Sequence, residues 1–226
     1  MSYATLIIGE SGTGKTASLR NLDPAKTFLI QPMRKPLPFR PKGWREVPAD
    51  WKAVAAGEGN ILVTSNPQAI IHAMDVAPQP VIVIDDWQYV LSDAYMSRRN
   101  EKGFEKFTAI GGAGYDIAKH ASMLAPHKRC YVLAHSHTDD FGQTRIKTLG
   151  KLLDDKVVVE GLFTTVLRTQ VDSGHFYFST QNNGNDTVKS PMGMFQAALI
   201  DNDLAAVDAS ICDYYGITNQ GDKHEV

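Results

Sequence analysis

Cysteine is nearly absent: Cys130 and Cys212 are the only two in 226 residues. They lie far apart in different contexts, which excludes a disulfide scaffold and predicts reduced core thiols. Charge of one sign is also lacking, because 23 basic and 25 acidic side chains leave a formal net charge of −2. There is thus no global attraction to nucleic acid, and any such binding must come from local patches. No apolar run approaches the ~20 residues of a membrane-spanning helix. The chain enters a strand-like run almost at once, leaving no room for a signal peptide, so a soluble, cytoplasmic protein is expected. No internal repeat or interdomain linker interrupts it, which predicts one domain over 1–226, with a core at about 3–195 and a C-terminal helix and tail at 196–226.

What is present is concentrated near the start. The run Ala4, Thr5, Leu6, Ile7 and Ile8 leads directly into Gly9, Glu10, Ser11, Gly12, Thr13, Gly14, Lys15 and Thr16. This octet, GESGTGKT, satisfies the phosphate-binding pattern GxxxxGK[ST]. A strand, a glycine-rich turn and the helical stretch Thr16 to Asn21 would aim several backbone N–H groups at one anion. Lys15 is then expected to reach the β- and γ-phosphates of ATP, and the Thr16 hydroxyl to ligate Mg²⁺. Downstream, Val81 to Ile84 forms a continuous apolar run between Pro80 and the pair Asp85 and Asp86, as in a strand buried on both faces. Asp85 is the candidate Mg²⁺ anchor. Asp86 is either a water-orienting group or the cap of the helix beginning near Trp87.

Between and beyond these motifs, strands and helices alternate. Thr27 to Ile30, Ile61 to Thr64 and Tyr131 to Ala134 read as strands. Pro67 to Asp75, Trp87 to Arg98 and Tyr115 to Leu124 read as helices, with Asn100 to Gly114 as a glycine-containing loop. Pro32, Pro36, Pro38, Pro41 and Pro48 exclude regular structure from Gln31 to Trp51. After residue 137 the character changes. Asp139 to Lys147 is polar with a turn at Phe141 and Gly142, and Leu162 to Val171 with His175 to Thr180 predicts an antiparallel hairpin. A final helix is expected from about Asp203 to Tyr215, stopped by Gly216, before frayed hydrophilic residues. The pattern predicts an α/β fold with a mainly parallel sheet flanked by helices and a C-terminal antiparallel hairpin.

In this order, GESGTGKT, VIVIDD, the strand YVLAH and the hairpin leading to TVKSPMGMF resemble the RecA-like P-loop ATPase core. More closely, they resemble the small phage-encoded RecA-like proteins of single-strand annealing and recombination. The resemblance implies an ATPase dependent on ATP and Mg²⁺, homo-oligomeric, binding single-stranded DNA in the host cytoplasm. A phage or host single-strand-binding or replication protein is an implied partner. It places a γ-phosphate-sensing polar residue at His135, with Ser136 and His137 as alternatives. Two histidines at this spacing lack a third and fourth ligand, so zinc is not expected.

The resemblance also assigns DNA contact to two loops. The first, Arg98 to Gly114, carries Arg98, Arg99, Lys102 and Lys106 beside Phe104 and Phe107, cations for phosphates next to rings for bases. Glu101 and Glu105 dilute it. The second, Thr138 to Lys147, carries Phe141, Arg145 and Lys147. Lys189 matches a lysine presented to a neighbouring subunit's nucleotide; the alternative is an exposed loop lysine. The chain departs from the family at Gln31, Pro32 and Met33, where a catalytic glutamate is lacking, and is expected to lack the N-terminal polymerisation segment of larger recombinases. Slow hydrolysis is one consequence; Asp86 supplying the water-orienting group is the other. Two competing readings are a small-molecule kinase, against which stands the absence of an arginine-rich lid, and a nucleotide-switch assembly factor docking a replication protein through the Gln31 to Trp51 loop with Trp44 and Trp51, a loop whose alternative, favoured reading is an ordered cover over the sheet edge.

Overall fold

The apolar run after Ala4 forms strand β1 (Tyr3–Gly9) and is buried on both sides: Leu6 and Ile8 enter one core, Ile7 the other. The same division recurs in β4 (Val81–Ile84), where Ile82 and Ile84 oppose Val81 and Val83, and in β5 (Arg129–Thr138), where Val132 and Ala134 oppose Tyr131 and Leu133. Strands apolar on both faces need helices on both faces, which is why these segments show no polar alternation. The computed structural model describes residues 1–48, 50–149 and 157–217.

The other strands are β2 (Thr27–Gln31), β3 (Ile61–Val63), β6 (Thr144–Ile146), β7 (Thr165–Asp172), β8 (His175–Ser179) and β9 (Leu199–Asp201). The sheet runs β3-β2-β4-β5-β1-β7-β8-β9, with β6 paired to the far end of β5. From β3 to β7 every pairing is parallel; β7-β8 is the antiparallel hairpin that the pattern predicts, and β9 adds a further antiparallel strand to it. The register sets Gly9 opposite His135 and Ile84 opposite Val132. The ends of β1, β5 and β4 therefore share one edge, with β5 between the glycine-rich strand and the aspartate strand. This is an α/β fold with a mainly parallel sheet flanked by helices, and an open parallel sheet binds ligands at that carboxyl edge.

One face is covered by α1 (Trp51–Ala56), α2 (Pro67–Val76), α3 (Gln88–Ser97) and α4 (Glu105–His120), the other by a 3-10 helix (Thr16–Asn21) and α5 (Leu204–Tyr215). Helix α5 starts and stops as its sequence predicts: the Asp203 side chain accepts from the Ala205 N–H, and Gly216 ends it at φ 64°. Its Leu204, Val207 and Ile211 are buried, each contributing roughly 1.5–3 kcal/mol by removal from water.

Helix α4 is a correction. The segment expected to remain a loop to Gly114 is helical from Glu105. Helical glycine costs about 1 kcal/mol relative to alanine, but a Cβ on Gly114 would stand 2.6 Å from Leu91 Cδ2 and 2.8 Å from Trp87 Cζ2. The missing side chain lets α4 pack directly against α3. The proline-rich segment is irregular as expected, yet it closes the sheet edge: Trp44 and Val47 are buried and Glu46 bridges to Ile61. Trp44 therefore belongs to the core rather than to a docking surface, while Trp51 is 41% exposed. Among the described residues no helix is long and apolar enough to cross a membrane. The C-terminal residues expected to fray, 218–226, lie outside the described residues.

Candidate phosphate-binding site

Gly12 and Gly14 adopt φ 80° and 93°, the left-handed region that glycine enters without a Cβ penalty. These two turns curl the loop after β1 around one point. Among the described residues the N–H groups of Ser11 and Gly12 find no protein acceptor, as suits a cradle for phosphate oxygens. The loop is braced from β7, where Thr169 Oγ1 lies 2.5 Å from Thr13 Oγ1. A Cβ on Gly9 would fall 1.8 Å from that same Thr169 oxygen. Gly9→Ala is accordingly expected to destabilise the protein by about 1–3 kcal/mol through overpacking. A thermal melt checks this, and Thr169→Ala in the same chain should restore part of the loss.

The helix after the loop occupies Thr16–Asn21 as expected, but it is a short 3-10 turn. Its dipole contributes little, so an anion held here would depend on loop N–H groups and Lys15. Lys15 is buried, and its ammonium donates to the carbonyls of Gly9 and Glu10, each at 2.8 Å. Burial lowers its pKa, with Asp86 and Asp85 opposing that shift. Thr16 Oγ1 lies 3.0 Å from both carboxylate oxygens of Asp85, across 69 residues of sequence.

The two aspartates are driven apart electrostatically. Burial, aided by the neighbouring charge of Asp86, pushes Asp85 up to about 7. Burial would raise Asp86 as well, but hydrogen bonds with His135 and Lys35 outweigh it and hold this carboxyl well below the usual range. Asp86 is 2.6 Å from Lys35 Nζ and 3.3 Å from His135 Nε2. It also takes φ 59°, uncommon for a residue with a side chain. The carboxylate is thus aimed into the cavity by backbone geometry and two partners, rather than capping α3, whose first turn shows no side-chain cap.

His135 is fixed by both main-chain groups: its N–H donates to Gln88 Oε1 at 3.1 Å, and its carbonyl accepts from the Lys147 N–H at 2.6 Å. Ser136 is buried and His137 exposed on the strand extension paired with β6. Of the three sensor candidates, only His135 lines the cavity. That cavity, about 370 Å³, is walled by the glycine-rich loop, Lys15, Thr16, Asp85, Asp86 and His135, together with Gln31, Lys35, Pro36, Pro38, Tyr89 and Phe176. The last six were not singled out as site residues, because only folding brings them to the motif.

Thr16 and Asp85 supply hard oxygen donors, and no group of three or more His, Cys, Asp or Glu among the described residues could cage a metal. This donor set fits Mg²⁺, which is commonly held by one or two protein oxygens and completed by phosphates and water. When bound there, Mg²⁺ would neutralise phosphate charge and favour the ionised form of Asp85.

The nucleic-acid candidates separate into exposed and occupied groups. Phe104 is 90% and Phe141 91% exposed, and Lys102, Arg145 and Lys147 are also exposed. Arg98 pairs with Glu101 at 2.7 Å, and Arg99 donates to the Met96 carbonyl. Phe107 is half-buried against Tyr95. Lys106 is buried, donating to the carbonyls of Arg98 and Glu101 over the Tyr95 and Phe107 rings, so it tethers the α3–α4 connection. The second segment is a β5–β6 hairpin with Phe141 near its tip. Lys189 is exposed, pairs its backbone with Val166 and does not line the cavity.

No family model and no curated protein matches this sequence. Among solved structures, similarity is found to the genome packaging NTPase B204 of Sulfolobus turreted icosahedral virus 2, in complex with ATP-gammaS. That likeness has 9% identity and a TM-score of 0.40, over 79% of this chain and 91% of the other.

Proposed function

We propose that the chain is an ATP- and Mg²⁺-dependent single-stranded-DNA-binding protein that promotes strand annealing in phage recombination. The observation that carries the nucleotide half is the meeting of Thr16 and Asp85 at 3.0 Å in the cavity that also holds Lys15. Phosphate, metal and a water-orienting carboxylate can be served there together: Lys15 and the loop N–H groups by binding phosphates, Thr16 and Asp85 by holding Mg²⁺, and Asp86 with His135 by positioning water. The DNA half is supported by two exposed phenylalanines, Phe104 and Phe141, with Arg99, Lys102, Arg145 and Lys147 nearby in sequence. Rings stack bases without sequence preference, and the cations follow the backbone. Lys189, which does not line its own cavity, completes a neighbour's site in a homo-oligomer under this reading.

Fluorescence anisotropy with labelled single-stranded DNA tests it, using no nucleotide, Mg-ADP and Mg-ATP. The expected result is an affinity that changes between ADP and ATP by roughly 5- to 150-fold and a Lys15→Ala variant that shows no nucleotide dependence. Equal affinity in all three conditions, or no binding by folded protein, would overturn the DNA half. Phosphorylation of a nucleoside panel would instead establish the kinase reading.

A further inference from the structure

Lys35 belongs to none of the motifs that define the cavity, yet it forms part of its wall. Its ammonium lies 2.6 Å from Asp86 Oδ2 and 4.4 Å from the centre of the Tyr89 ring. Three features of the chain hold it there. Gln31, standing where the RecA-like resemblance expects a glutamate, donates from Nε2 to the Lys35 carbonyl at 3.3 Å. Pro36 and Pro38 stiffen the segment that follows, and a residue before proline is itself restricted to extended backbone. Both prolines line the cavity.

The position lacking a carboxylate therefore anchors a cation. Lys35 remains 44% exposed while Asp86 is 11% exposed, so the lysine is the mobile member of the pair. Lysine carries three donors on a flexible stem, and one carboxylate contact leaves others free. Lys15 and Lys35 are also close enough that the charge of Lys35 disfavours that of Lys15, a conflict that a polyanion in the cavity would relieve.

We propose that Lys35 is a second phosphate-reading cation, acting within its own chain: it pairs with Asp86 when only a diphosphate is bound and moves to the γ-phosphate of a triphosphate, leaving Asp86 to His135. This rests on the reading of the cavity as an ATP site. It makes the proline-rich segment from Gln31 the part of the molecule that distinguishes ATP from ADP.

The test is calorimetric titration of Mg²⁺ complexes of ADP and of a slowly hydrolysed ATP analogue into wild type, Lys35→Ala and Lys35→Arg, each shown to be folded by thermal melting. Lys35→Ala should weaken the triphosphate by about tenfold or more, as for loss of a charge-assisted hydrogen bond, while ADP changes less than about threefold. Lys35→Arg should recover most of the discrimination. Equal weakening of both nucleotides would assign Lys35 a packing role and overturn the proposal, as would no change in either. Wild-type protein that binds neither nucleotide would overturn the ATP reading itself, an outcome distinct from a change-free Lys35→Ala variant.

Discussion

Lys15→Ala should weaken ATP binding by about 10- to 100-fold, the equivalent of the 1.5–3 kcal/mol carried by hydrogen bonds to a charged group. The ammonium already lines the cavity, at 2.8 Å from the Gly9 and Glu10 carbonyls, where a bound phosphate would compete for it. It arrives partly desolvated, which strengthens its attraction to an anion compared with a lysine in water. Removing it also leaves two carbonyls of the loop without their donor. Titration of ATP into the variant measures the effect, and an unchanged affinity would place the triphosphate elsewhere.

Asp208→Ala should lower stability by about 3–5 kcal/mol, the usual cost of stranding one member of a buried ion pair. The Asp208 carboxylate accepts from Arg129 Nε at 2.9 Å, from Arg129 Nη2 at 2.7 Å and from the Tyr131 hydroxyl at 2.5 Å. Arg129 is only 2% exposed, so its guanidinium would be left buried without its carboxylate. This cluster ties α5 to β5, far along the strand from His135. Urea unfolding should show a lower midpoint at nearly unchanged slope, and a loss under about 1 kcal/mol would show the pair to be energetically slack. Arg129→Met combined with Asp208→Leu should be milder than Asp208→Ala alone, because no charge is left buried.

The parts of the molecule readable from sequence are those whose signal is local. Val81 to Ile84 needs burial on both faces, and its four apolar residues say so without reference to any other segment. The loop at Gly9 to Thr16 is likewise legible because phosphate chemistry demands consecutive residues. The helix from Glu105 is hidden because Gly111, Gly112 and Gly114 read as loop, and Gly114 is there for a close approach to Trp87 and Leu91, at the start of and within another helix. Lys106 reads as one of four similar cations; its burial depends on α3 ending beside it. The role of Gln31 was visible only as a missing carboxylate. What replaces that group is Lys35 on Asp86, a contact spanning 51 residues that no periodicity encodes. Strand β9 at Leu199–Asp201 escaped for a similar reason, since three residues are too few to show alternation and only β8 gives them a partner.

In the proposed function the glycine-rich loop and Asp85 form a single Mg-triphosphate site. Calorimetric titration of ATP into wild type and Asp85→Asn, with Mg²⁺ and with a chelator, tests this most directly. The account predicts that wild type binds ATP more tightly with Mg²⁺ and that Asp85→Asn loses the Mg²⁺-dependent part while retaining metal-free binding. Folded wild-type protein that binds no ATP, or binds it with the same affinity with and without Mg²⁺, would contradict it.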